Sequence, residues 1–210
     1  MGYELEGRVR QKQRTLAALV TAARDLVSDG ITPTVEQAAE QAGISRTTAY
    51  RYFPSQAALL AAAHPEVTTT SLLPARPPGD VGARVDIVVA RVTDMVRDTE
   101  EQQRTMLRLS LEPGRRGRND LLLRQGRVIG WLEEALEPLT EEIGQRAVHA
   151  LAVAIRSSIG IEAYVWLTDV AGLSPSEAVA MMRWTARSSL NAARGGSLPP
   201  VAKRLNTRSP

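Results

Sequence analysis

The sequence predicts an all-α protein, and three observations carry that prediction. Apolar residues recur three and four positions apart along most of the chain, the spacing of one helix face. No segment alternates apolar with polar residues, and there is no Asn-Gly hairpin turn. Glycine, proline and the hydroxyl or acidic residues that start helices fall between the periodic stretches, dividing the chain into about nine helices. Of 210 residues, 43% are hydrophobic and 23% charged, ordinary shares for a folded domain, which excludes a wholly disordered chain. No internal repeat is evident.

The first helix covers 8–28, with Leu16, Leu19, Val20, Ala23, Leu26 and Val27 at helical spacing and Asp29-Gly30 as its stop. Thr34 starts a short helix to about 41 with Glu36 in its first turn, and Gly43 supplies the tight exit. Ser45 caps a helix over 45–52 that Pro54 stops, and Ser55 caps a fourth to about 63. His64-Pro65, Pro74, Pro77-Pro78 and Gly79 break the pattern, so 64–80 reads as a linker and the domain boundary. Asp80 caps a helix over 81–98, another spans 100–112 up to Pro113-Gly114, and Asn119 caps a long one to Glu137, with Leu122, Ile129, Leu132 and Leu136 facing a core. Beyond Pro138, Thr140 caps a helix over 141–169, and Ser174-Pro175-Ser176-Glu177 is a capping box with proline in the first helical position, opening a last helix over 175–193. The organisation expected is therefore 1–54, a connecting helix 55–63, the linker 64–80, a larger domain 81–194, and a basic tail 195–210 that frays.

The absence of cysteine excludes disulfides, thiolate metal sites and cysteine nucleophiles. Two scattered histidines, no metal-ligand spacing and no phosphate-cradling glycine loop leave no catalytic set, no metal site and no cofactor to expect. Met1 to Arg14 is polar and lacks the apolar stretch of a signal peptide, and Arg156 and Glu162 interrupt the longest apolar segment, so a cytoplasmic protein without a membrane span is expected. The net charge of +3 divides into +1 over 1–64, −2 over 65–193 and +4 over 194–210. Arg8, Arg10, Lys12 and Arg14 cluster at the start and suit either phosphate contact or a solvated leader. Arg115, Arg116 and Arg118 read as a solvated loop.

The informative segment is 31–60. Two short helices joined by a turn at Gly43 have helix-turn-helix layout, and Ala38, Ala39 and Ala42 are small enough for them to approach closely. A recognition helix presents its first turn to base edges; here that turn is Ser45, Arg46, Thr47 and Thr48. Arg46 has the fork that reads guanine, and Thr47 can touch a base edge or a thymine methyl. Tyr50, Arg51 and Tyr52 carry hydroxyl and guanidinium donors suited to phosphate oxygens, as do the hydroxyl and N–H of Thr34 at the preceding helix start.

Residues Gly43-Ile44-Ser45-Arg46-Thr47-Thr48-Ala49-Tyr50-Arg51-Tyr52-Phe53-Pro54-Ser55 resemble the signature of the TetR family of transcriptional regulators. Ala17–Leu26, Gly30 and Ala58-Leu59-Leu60 extend the resemblance over roughly 12–62. It implies a three-helix DNA-binding domain tied by a fourth helix to a ligand-binding, dimerising domain. It assigns phosphate contact to Thr48, Tyr50 and Tyr52 and base readout to Arg46 and Thr47. Gln56 stands where the family usually has a lysine that anchors phosphate, and Ala49 and Ala38 stand where larger apolar residues are usual. Glutamine still hydrogen-bonds without adding charge, which implies a salt dependence shallower by about one phosphate.

In the larger domain, helix 141–169 is apolar on most sides, through Ile143, Val148, Leu151, Val153, Ile155, Ile159, Val165 and Trp166. Pairing with the same helix of a second copy, together with helix 175–193, would bury it, giving the homodimer that two DNA half-sites need. Met95, Met106, Trp131, Tyr164 and Trp166 are either plain core or the lining of a pocket for a small apolar or amphipathic ligand. Glu162 shares the face of Leu151, Ile155, Ile159 and Trp166, and either meets a cationic or hydroxylated ligand or pairs with an arginine at the dimer interface. The function expected is a DNA-binding repressor released from operator DNA by a small ligand. The alternatives are a regulator of the same fold controlled by a protein partner and, less favoured, an all-α enzyme or carrier.

Overall fold

The computed structural model describes residues 2–64, 69–111 and 126–200; all the regular structure among them is helical, with no strand. Arg115, Arg116, Arg118, the Asn119 cap, Leu122 and tail residues 201–210 lie outside the described residues. The chain forms two compact units: residues 1–69 with 99–125, and 70–98 with 126–210.

The first unit holds α1 (Gly2–Ser28), α2 (Val35–Gln41), α3 (Arg46–Tyr52), α4 (Gln56–Ala63) and α6 (Glu100–Ser110). The helix expected from residue 8 thus begins at Gly2. Its core is Leu19, Ala23, Val35, Ala38, Ala39, Ala49, Phe53, Leu59 and Ala63, with Ile44 and Tyr52 packed on the rim. Ala38, Ala39 and Ala49 are fully buried, so α2 and α3 close on one another with nothing larger than a methyl group between their backbones. Thr34 and Ser45 cap α2 and α3 through bonds to the third residue of each helix.

The C-terminus of α4 is held from two sides. Arg24 of α1 donates through Nε to the Ala63 carbonyl at 3.1 Å, and Gln102 of α6 donates through Nε2 to the Leu60 carbonyl at 3.0 Å. Both are carbonyls that a helix end leaves without an intrahelical partner. Gln102 is 2% exposed, a buried amide whose contribution lies in satisfying that end.

The second unit is built on α5 (Val81–Asp98), α7 (Arg127–Leu136), α9 (Gln145–Ile159) and α11 (Pro175–Arg194). Each packs on the next and α11 returns to α5, which closes a ring of four helices. Val85, Val88, Leu132, Leu136, Leu151, Ile155, Ile159, Tyr164 and Met182 fill it, each at most 1% exposed. At about 1.5–3 kcal/mol per fully buried large apolar side chain, this ring dominates the unit's stability. Segment 70–80 has no helix, yet it is anchored: Trp131 Nε1 donates to the Thr70 carbonyl, Ser71 bonds the Glu134 carboxylate, and Leu72 and Leu73 are buried. Asp80 caps α5 by accepting from the Ala83 N–H at 2.8 Å. At α11 the expected capping box forms between Ser174 and Glu177, with proline in the first turn.

The continuous helix expected over 141–169 is corrected. A three-residue 3-10 turn (Glu137–Leu139) leads into α8 (Thr140–Ile143), which ends at Gly144; α9 ends at Gly160; α10 (Ile161–Val165) follows; and a wide π turn covers Trp166–Val170. Gly160 takes φ −93° and ψ 175°, an extended residue between two helices, with the Arg156 guanidinium lying over its Cα. That break shifts the helical phase of everything after it. Nor is α9 buried all round: Ala147, Val148, Leu151, Ala152, Ile155 and Ile159 face the core, while Val153 is 42% exposed. Within the span 145–170, a window of 18 residues reaches a mean hydropathy of 1.4, enough in length and apolarity for a membrane helix. Its apolar content instead reflects the buried face of α9 and the core residues Ile161 and Tyr164.

Candidate nucleic-acid interface

Gly43 sets the angle between α2 and α3. Its φ of +65° is the left-handed exit that L side chains rarely adopt. The Gly43 N–H reaches the Glu40 carbonyl at 3.1 Å and the Ile44 N–H reaches the Ala39 carbonyl at 2.9 Å. These two bonds close the end of α2 and point Ile44 back at the core, the arrangement of a Schellman motif. The chain then enters α3 at Ser45 with its first turn turned outward.

Arg46, Thr47 and Arg51 are exposed on α3. Ser45 accepts from the Thr48 N–H at 3.3 Å and donates its own proton to Thr48 Oγ1 at 2.9 Å, so its hydroxyl serves the cap. Thr48 is half-buried, and Tyr52 packs its ring on the core, leaving the hydroxyl end as its polar part. At α2, the Thr34 N–H is already used: it donates to Gln37 Oε1 at 2.8 Å while Thr34 Oγ1 accepts from the Gln37 N–H at 3.2 Å. Gln56 donates through Nε2 to the Pro33 carbonyl at 3.1 Å, tying the start of α4 to the turn before α2.

Tyr50 is 42% exposed, and its hydroxyl donates to Glu36 Oε1 at 2.5 Å. This bond holds the Glu36 carboxyl below its ordinary range, helped by the charge of Arg46, and pushes the Tyr50 phenol up. Glu36 was legible in the sequence only as an acidic residue in a first helical turn. Its partner is fourteen positions away, a pairing that only the α2–α3 approach creates. Arg24 and Gln102, which hold α4, were likewise silent in the sequence.

The residues expected around a ligand do not all fall in one body. Met106 is buried in the first unit; Met95, Trp131, Glu162, Tyr164 and Trp166 belong to the second. Trp131 and Tyr164 are core, at 4% and 0% exposure, whereas Trp166 is 58% exposed. The shared face expected for Glu162 and Trp166 with Leu151, Ile155 and Ile159 is lost at Gly160. Glu162 stands half-exposed, facing Arg156 Nη1 at 3.5 Å, an arginine of its own chain. An open groove of about 310 Å³ on the second unit is lined by Asp86, Val89, Ala90, Arg183, Trp184 and Arg187, none of them among the expected lining. Asp86 pairs with Arg187 and Asp94 with Arg183, which balances its charge. No group of three or more His, Asp or Glu that could hold a metal ion occurs among the described residues.

Residues 19–63 match the family model of bacterial regulatory proteins, tetR family. No curated protein matches the chain. The matched residues run from the core leucine of α1 to the last residue of α4.

Proposed function

We propose that this chain, a member of the tetR family of bacterial regulatory proteins by its residues 19–63, is a sequence-specific repressor that binds operator DNA as a homodimer. The observation that carries the reading is the outward first turn of α3, Arg46 and Thr47, on a helix pair locked by three fully buried alanines. Arg46 and Thr47 read base edges; Thr48, Tyr50, Arg51 and Tyr52 reach phosphates and set the register; Thr34 and Ser45 hold the helix starts, and Gln56 braces α4. Such a protein works in the cytoplasm, where the chromosome lies.

The dimer is built through α9, the π turn and α11. Val153, Trp166, Val170 and Met181 are exposed on these elements and would supply the apolar anchors of such an interface. A small apolar or amphipathic ligand in the second unit releases the DNA by favouring a state with the wrong spacing of recognition helices, by no more than its differential affinity for the two states. A second reading is a regulator without such an inducer, controlled by a protein partner. The core positions of Trp131 and Tyr164 favour it, because two of the expected lining residues are already packed.

The test is binding of the purified chain to duplex DNA from around its own gene, for wild type and Tyr50→Ala, across a salt series. Salt-dependent binding by a dimer that prefers one sequence and weakens in the variant supports the repressor reading. Weak, sequence-indifferent binding that the substitution leaves alone rejects it. With an operator in hand, compounds that release it separate the two forms of control.

A further inference from the structure

We infer that Glu36 is a built-in competitor for the phosphate contact of Tyr50, a brake that makes this protein bind all DNA less tightly than its recognition surface allows. The inference rests on the DNA-binding reading above and goes beyond it by assigning a role to a residue that touches neither base nor phosphate.

A phenol has one proton to donate, and both a carboxylate and a phosphate diester only accept. In the free protein the Tyr50 proton is already given to Glu36 Oε1, at 2.5 Å. Its acceptor is an ionised carboxylate, so the bond is charge-assisted. Tyr50 therefore reaches a phosphate only by surrendering Glu36. The pair is held in place by its supports rather than by its own side chains. Glu36 lies two residues after Thr34, in a helix start fixed by the reciprocal Thr34–Gln37 bonds, and Tyr50 follows Ala49, buried against α2.

After the exchange the carboxylate remains, as a negative charge on the face that presents Arg46, Thr47 and Arg51 to a polyanion. The depressed Glu36 carboxyl and the raised Tyr50 phenol agree with this geometry: at neutral pH one is ionised and the other protonated. Both the lost bond and the residual charge act on any sequence, so the brake bears on sequence-indifferent binding as much as on the operator.

The experiment titrates two duplexes of equal length, one from around the protein's own gene and one unrelated, with the full chain at several salt concentrations. The variants are Glu36→Ala, Glu36→Gln, Tyr50→Phe and Glu36→Ala with Tyr50→Phe, with thermal melts to confirm that each folds. Both Glu36 variants should bind both duplexes about three- to tenfold more tightly, with a salt slope steeper by about one ion. Tyr50→Phe should cost less than about threefold in the wild-type background and about tenfold beside Glu36→Ala, where the phenol is free for phosphate from the start. Two results overturn the inference: Glu36 variants that bind no more tightly, or a Tyr50→Phe cost that is equal or smaller beside Glu36→Ala, the mark of a carboxylate that pre-positions the phenol. A wild type with no salt-dependent binding to either duplex removes the DNA-binding reading itself, and this inference with it.

Discussion

At the scale of single residues, the Glu36–Tyr50 pair has a consequence that needs no DNA. The carboxyl is depressed below its ordinary 4.5 in the folded state, so the stability it adds is complete above that value and is lost as pH falls through the folded one. The phenol is raised above 10.0, so its share is complete below 10.0 and is lost as pH climbs through the folded value. Glu36→Ala should therefore move one tyrosine titration, followed by ultraviolet absorbance, to lower pH; an unchanged curve would mean that the bond does not form in solution. Gly160 makes the opposite kind of case. A Cβ there would lie 1.8 Å from Arg156 Nη1 and 2.6 Å from Glu162 Oε2, a severe overlap, yet both are ends of flexible side chains. Because the backbone at φ −93° suits any residue, Gly160→Ala should cost only about 1 kcal/mol in denaturant unfolding. Most of that should vanish when Arg156→Ala is added, since the two residues are in contact.

At the scale of elements, end bonds decide more than helix propensity. The seven-residue α2 and α3 are too short to persist alone, so their caps and their shared alanine core hold them. Ser45→Ala should lower stability by about 1 kcal/mol, read from the urea midpoint, and loosen the turn that carries Arg46. Gln102→Leu removes the donor to the Leu60 carbonyl but also removes the amide oxygen of Gln102, which is buried without a partner. The loss of one bond is partly offset by the loss of one unsatisfied group, so the cost should sit near the lower end of the usual 1–3 kcal/mol. Hydrogen exchange should localise it to the amides of α4 and α6. A uniform change across the unit would contradict a local clamp. Most of these boundaries were legible, because Thr34, Gly43, Ser45, Asp80 and Ser174 act on their immediate neighbours. The break at Gly160 was not, because a glycine flanked by isoleucines in an apolar run carries no local signal of an extended residue.

At the scale of the whole molecule, the proposed dimer makes the sharpest demand. Trp166, Val170 and Met181 are 58%, 71% and 43% exposed in the single chain. A specific dimer should bury about 800 Å² on each partner, which these residues would anchor. Met181→Asp with Trp166→Asp should leave α9 and α11 folded, since both side chains point away from the core, and convert a dimer into a monomer by sedimentation. Operator affinity should fall with it, as one half-site is read instead of two. A double variant that remains dimeric would place the interface elsewhere.

What the sequence determined by itself is whatever is written in neighbouring residues: the all-α class, the caps, the Gly43 turn, and the run from Gly43 to Ser55 that marks the helix-turn-helix pair. Those features depend on local dihedral preference and on donors and acceptors within one helical turn, so reading along the chain reveals them. Only the tertiary structure decided that Tyr50 meets Glu36, that Arg24 and Gln102 close the end of α4, that α6 belongs with α4, and that Glu162 faces Arg156 across Gly160. Apart from that last pair, set by the break at Gly160, each joins residues from different helices whose separation in sequence says nothing of their separation in space. Close approach permitted by small side chains, rather than any local pattern, brings Glu36 to Tyr50.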